Sequence, residues 1–157
     1  MSVGATKMLG KIDRLRATIA QRRLLRRVTK ALALNKRGEA RADGLSMTRA
    51  QNRLHLEWRA RAIHPWDSDL PTSRAAQLFA EQCLRDADAA ISRLFAQLPE
   101  MEVIEFKTLD PKSSVCILSG VVTRSESTNV KASSSGMRLK QLGVTYRLHN
   151  WRFEPLS

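Results

Sequence analysis

At 157 residues and 43% hydrophobic composition, the chain is long enough for one domain with an appendage and too apolar to be disordered throughout. Its formal net charge of +12 lies wholly in residues 1–65, which hold 16 Lys or Arg against 4 Asp or Glu, whereas residues 66–157 balance at 11 against 11. A field confined to one segment favours polyanionic partners, and no window supplies the roughly 20 apolar residues that a bilayer span needs.

Thr6 to Asn35 reads as a helix, with good helix formers and no proline. Met8, Ile12, Leu15 and Ile19 make one apolar stripe. Continued along an ideal helix, that same face meets Arg22, Arg23, Arg26, Arg27 and Lys30, a cationic stripe about 140° wide. Leu24, Leu25, Val28, Ala31 and Leu32 fall on the opposite side. The hydrophobic face therefore flips near Ala20. Either the helix breaks there, or one helix has different neighbours along its two halves. Met1 to Gly10 lacks the apolar core of a secretory signal. Residues 1–37 share the Arg-rich, acid-poor composition of a mitochondrial presequence, but Asp13 interrupts it and the basic character runs on past a usual cleavage point.

Lys36 to Leu45 reads as a connector. A second basic helix is expected over about 47–63, with Met47, Ala50, Leu54, Trp58 and Ala62 on one face and Arg49, Arg53, Glu57 and Arg61 along another. His64 to Pro71 is a boundary rich in turn formers. Thr72 to Leu98 is the clearest helix, with Ala76, Phe79, Cys83, Ala87, Ala90, Ile91, Leu94 and Leu98 on one face and Pro99 ending it. Strands are expected over 102–109 and 114–124, joined by a turn at 110–113. Ser125 to Gly136 reads as a serine-rich loop. Met137 to Leu148 reads as a strand with a β-bulge at Leu142-Gly143, and a tight turn at His149-Asn150 leads to a last strand at 151–153.

Together these predict an α+β fold. A long helix over 72–98 packs on an antiparallel sheet of three or four strands from 101–155, preceded by two basic helices over about 6–35 and 47–63. The second helix would dock through Leu54 and Trp58. The chain divides into a basic helical arm, 1–65, and an α+β body, 66–157.

Leu118-Ser119-Gly120-Val121-Val122, followed by Leu142-Gly143-Val144 and Asn150, resembles the pattern of the bacterial OsmY and nodulation domain. The resemblance covers some forty residues. It implies a small αββ-type module associated with membranes and phospholipid, with a helix at the Ser133–Gly136 tract.

Cys83 and Cys116 are too few and too distant for a disulfide framework, and both are expected as small hydrophobes in a reducing cytoplasm. His55, His64 and His149 lack the spacing of a helical zinc site, so no metal is expected. No phosphate-cradling glycine loop, nucleophile elbow or Cys-His pair is present, and no cofactor is implied. Asp86 and Asp88 lie two apart on a helix and point to different sides. Trp58 and Trp66 beside Arg59, Arg61 and His64 could stack on single-stranded bases, but Trp58 shares the apolar face with Leu54 and reads as core.

The expected function is a non-enzymatic binding or assembly protein. Its basic arm would contact DNA or RNA, or another polyanion, through phosphate and with little base readout. The contact residues are Arg22, Arg23, Arg26, Arg27 and Lys30, then Arg49 and Arg53. Two rival readings use the same arm. One is a protein–protein adaptor or homo-oligomer whose interface is the flipped apolar faces of residues 6–35, with the arginines meeting acidic protein. The other is peripheral attachment to an anionic membrane.

Overall fold

A computed structural model describes residues 3–32 and 45–156. Apart from Leu45, the expected connector over 36–45 lies outside them. Helix α1 (Val3–Leu32) leads to strands β1 (Ser46–Ala50) and β2 (Arg53–Arg59), a short 3-10 turn (Pro65–Asp69) and helix α2 (Thr72–Gln97). Strands β3 (Val103–Leu109) and β4 (Cys116–Thr123), helices α3 (Arg124–Asn129) and α4 (Ser135–Gln141), and the small hairpin β5 (Leu148–His149) and β6 (Arg152–Phe153) follow.

The fold is α+β, with α2 packed on a four-stranded sheet in the order β1-β2-β3-β4. The sheet is mixed rather than antiparallel. β1 and β2 form a hairpin, β2 and β3 run parallel, and β3 and β4 run antiparallel. A parallel pair needs a crossover, and α2 is that crossover. The sheet therefore joins strands from both sides of residue 65.

The second basic helix, expected over 47–63, is replaced by the β1–β2 hairpin. The i, i+4 reading of Leu54, Trp58 and Ala62 passed over a stricter pattern: Arg53-Leu54-His55-Leu56-Glu57-Trp58-Arg59 alternates polar and apolar at every step. Leu54, Leu56 and Trp58 are all buried and their neighbours are not. A period of two places alternate side chains on opposite faces of a sheet. Leu54 and Trp58 do dock on the body, but from a strand.

One face of the sheet carries the core. Leu54, Leu56 and Trp58 stand in register with Ile104, Phe106 and Thr108, and Leu118 and Val122 continue the layer on β4. Trp58 stacks on Phe106 at 5.1 Å. Against this layer α2 sets Cys83, Ala87, Ala90, Ile91 and Leu94. The opposite sheet face bears Arg53, His55, Glu57, Glu105 and Lys107, which are more exposed.

Two further expectations fail for a common reason. The serine-rich stretch 125–136 is not a plain loop, because its hydroxyls and those beside it start helices. Thr123 and Glu126 form a capping box for α3, and the Ser134 side chain accepts from Met137 N–H at the start of α4. The bulged strand over 137–148 is replaced over most of its length by α4. Gly143 ends that helix rather than bulging a strand. Its φ is +83°, its N–H donates to the Lys140 carbonyl, and Val144 N–H donates to the Leu139 carbonyl. That hydrogen-bond pair is a Schellman motif, with buried Val144 and Leu139 as its apolar contact. The chain then runs beside β4, where Thr145 exchanges two backbone hydrogen bonds with Ser119. Val144 lies so close to Gly120 that a Cβ there would meet its side chain at 3.0 Å. In the last hairpin the turn residues are Asn150 and Trp151, both with positive φ, as a type I′ turn requires.

Candidate polyanion-binding surface on the basic helix

α1 is one unbroken helix of 30 residues, about 45 Å long at 1.5 Å per residue. The flip of its hydrophobic face is resolved by its surroundings. In the C-terminal half, Leu24, Val28, Ala31 and Leu32 are buried in the same core as α2 and the sheet. In the N-terminal half, Met8, Leu9, Ile12, Leu15 and Ile19 are all exposed, Met8 at 67% and Leu15 at 62%.

Two arginines lock the docked half in place. Arg27 sends Nη1 to Glu100 Oε1 at 2.6 Å and Nη2 to Glu100 Oε2 at 3.1 Å, and Nη2 also donates to the Gln97 carbonyl at 2.6 Å. Arg93 on α2 returns a hydrogen bond to the Ala31 carbonyl. Rising residue numbers on α1 thus meet falling ones on α2, so the two helices run antiparallel and the exposed half of α1 extends past the C-terminal end of α2.

These bonds serve both helix ends. The last carbonyls of a helix lack internal partners, and α2 has no basic residue in its own last turn. Arg27 supplies one cation there. Arg124 supplies another, donating to the carbonyls of Phe95, Leu98 and Met101 while its guanidinium lies 5.0 Å from the Phe95 ring centre. A helix C-terminus favours cations for the same reason.

The seven residues expected to meet a polyanion are therefore distributed over three places. Arg22, Arg23, Arg26 and Lys30 are exposed on α1 and make no ion pair or side-chain hydrogen bond among the described residues. Arg27 is committed to Glu100 and Gln97. Arg49 lies opposite Leu54 on the edge strand, where its Nε donates to the Gln51 carbonyl in the hairpin turn. Arg53, one step from Leu54, points to the other sheet face, 3.8 Å from Glu105 Oε2, which His55 Nδ1 approaches at 3.1 Å. The expected helical row of Arg49, Arg53, Glu57 and Arg61 does not exist, because strand geometry separates its members.

The two close acids of α2 are each engaged in an ion pair. Asp86 holds Arg61 through two hydrogen bonds of 2.7 and 3.1 Å, whereas Asp88 holds Arg138 at 3.1 Å and so ties α4 to α2. The two acids do face different ways. Trp58 is core, Trp66 is 86% exposed with its ring edge to His64, and the pair forms no stacking platform. Cys83 is buried and Cys116 half-buried, and burial pushes both thiols above their ordinary value, so neither is primed as a nucleophile. No group of three metal-ligating side chains forms among the described residues. No described helix is long and apolar enough to cross a membrane.

Sequence reasoning missed the roles of Arg27 and Arg124. A signal for them was present: α2 ends without a cation, and its C-terminal carbonyls had to be answered from elsewhere.

Compared with protein-family models, curated proteins and solved structures, the chain gives no match. The resemblance to the OsmY and nodulation domain is therefore supported by no family model, although a helix, α4, does start at Ser135.

Proposed function

We propose that the chain is a non-enzymatic tethering or assembly protein that uses α1 to hold its α+β body to a phosphate-bearing polyanion. One observation carries this reading: Arg22, Arg23, Arg26 and Lys30 stand in solvent on the side of α1 away from its docked residues, with no carboxylate of the described body to answer them. Contact would be by charge. α1 offers Gln21 as its single amide side chain and no Asn, a poor set for reading base edges.

Four phosphate contacts predict binding to duplex DNA whose log affinity falls with log salt at a slope of about −3 to −4. A salt titration of fluorescent DNA, RNA and anionic vesicles checks this. Replacing Arg22, Arg23, Arg26 and Lys30 by Ala together should abolish most binding and leave the circular dichroism of the body unchanged. Failure of the native protein to bind any of the three at low salt would overturn the reading.

A further inference from the structure

We propose that the polyanion is an anionic lipid bilayer, on whose surface α1 lies with Met8, Ile12, Leu15 and Ile19 in the hydrocarbon boundary and Arg22, Arg23, Arg26 and Lys30 among the lipid phosphates. This rests on the polyanion reading and narrows it.

The apolar stripe decides between partners. A nucleic-acid backbone would neutralise the cations but leave four large aliphatic side chains in water. A second copy of α1 would cover the stripe but bring two cationic helices together with Asp13 as the one described acid on each. An anionic bilayer supplies phosphate and hydrocarbon in one surface, and so can meet an apolar segment that is followed along the same helix face by a cationic one.

The geometry of α1 suits a flat surface. On an ideal helix the stripe residues and the four free cations all fall within an arc of about 100°, and the docked residues Leu24, Val28, Ala31 and Leu32 centre about half a turn away. The docked residues therefore put the body on the side of the helix away from the stripe and the four free cations. Lys11 and Arg16 flank the stripe, one on each side, where their stems can lie along the apolar surface with their charges at headgroup height. Asp13 sits on the far side. Charges laid along the interface in this way respond to lipid composition.

Flotation of the full-length protein with phosphatidylcholine vesicles, with and without a third of the lipid as phosphatidylglycerol, tests the proposal. Binding of duplex DNA and RNA is measured in parallel. The protein should float with the anionic vesicles alone. The double variant Ile12→Ser with Leu15→Ser alters only exposed side chains. It should weaken vesicle binding by about tenfold or more while leaving DNA affinity unchanged. A Trp placed by Ile12→Trp should shift its emission to the blue on anionic vesicles and not on DNA. Retention on DNA or RNA without flotation would overturn the lipid assignment and leave the polyanion reading standing. No retention on any of them would overturn both. Flotation that the Ser variant does not weaken, or a lipid-free oligomer that it dissociates, would show that the stripe does not face lipid and would also overturn the assignment.

Discussion

The two halves of α1 are built from the same residue types, and the fold treats them in opposite ways. Leu24, Val28, Ala31 and Leu32 vanish into the core, while Met8, Leu9, Ile12, Leu15 and Ile19 remain in water. Arg27 is bound twice over, while Arg26, its neighbour in sequence, is bound to nothing described. Adjacent helix positions differ by about 100°, and that rotation alone turns one arginine into a fastener and the other into a free charge. A count of cations cannot separate the two roles. The direction of the helix face can, and the buried residues of α1 fix that direction.

The comparison is broken most decisively by matched truncations. Leu24→Ala removes a side chain that is 4% exposed and should cost about 2–4 kcal/mol in urea unfolding followed by circular dichroism. Leu15→Ala, at a position 62% exposed, should change stability by less than about 0.5 kcal/mol. Equal losses at both positions would mean that the projecting half is packed in solution, and the contrast between the halves would be gone.

A smaller effect separates the two neighbouring arginines. Arg27→Ala removes three hydrogen bonds, two of them to a carboxylate. Because its side chain is 42% exposed, the loss should be about 1–2 kcal/mol rather than the full value of a buried pair. Arg26→Ala should leave stability within about 0.5 kcal/mol and instead lower the salt slope of polyanion binding by about 1. The informative outcome is the crossing of roles, read by unfolding and salt titration on the same two variants. If Arg26→Ala destabilised and Arg27→Ala weakened binding, the assignment of fastener and free charge would have to be exchanged.

How far these features were legible before the structure varied by element. α2 was plain because its apolar face repeats at helical spacing over seven turns and a proline follows it. β3 and β4 were plain because their residues are β-prone and a Asp110-Pro111 turn divides them. The helix expected over 47–63 failed where two periods competed, since Leu54 and Trp58 satisfy both a spacing of four and a spacing of two, and only Leu56 decides. α4 was hidden because serines read as loop formers also cap helices, and because a glycine that shifts the apolar parity serves a helix C-terminus as well as a bulge. At the candidate surface, the two-sided character of α1 was visible in sequence. The fate of Arg27 was not, because Glu100 is 73 residues away along the chain and nothing local couples them.

The finest difference between the halves of α1 is its response to acid. The Glu100 carboxyl is held below its ordinary value of 4.5, first by its hydrogen bonds from Arg27, with partial burial opposing and the charges of Arg27 and Arg49 assisting. A carboxyl with a lowered value in the folded state contributes stability that is complete above the unfolded value and is lost as pH falls through the folded one. Docking of the C-terminal half should therefore loosen as pH drops below about 4.5, whereas the projecting half has no such contact to lose among the described residues. The gap in unfolding free energy between the native protein and Arg27→Ala should be widest near neutral pH and should narrow on acidification. Glu100→Gln should reproduce the narrowed gap at pH 7. A gap that stayed constant down to pH 3 would place the worth of Arg27 in its bond to the Gln97 carbonyl, which does not titrate, and would remove Glu100 from the fastening of α1.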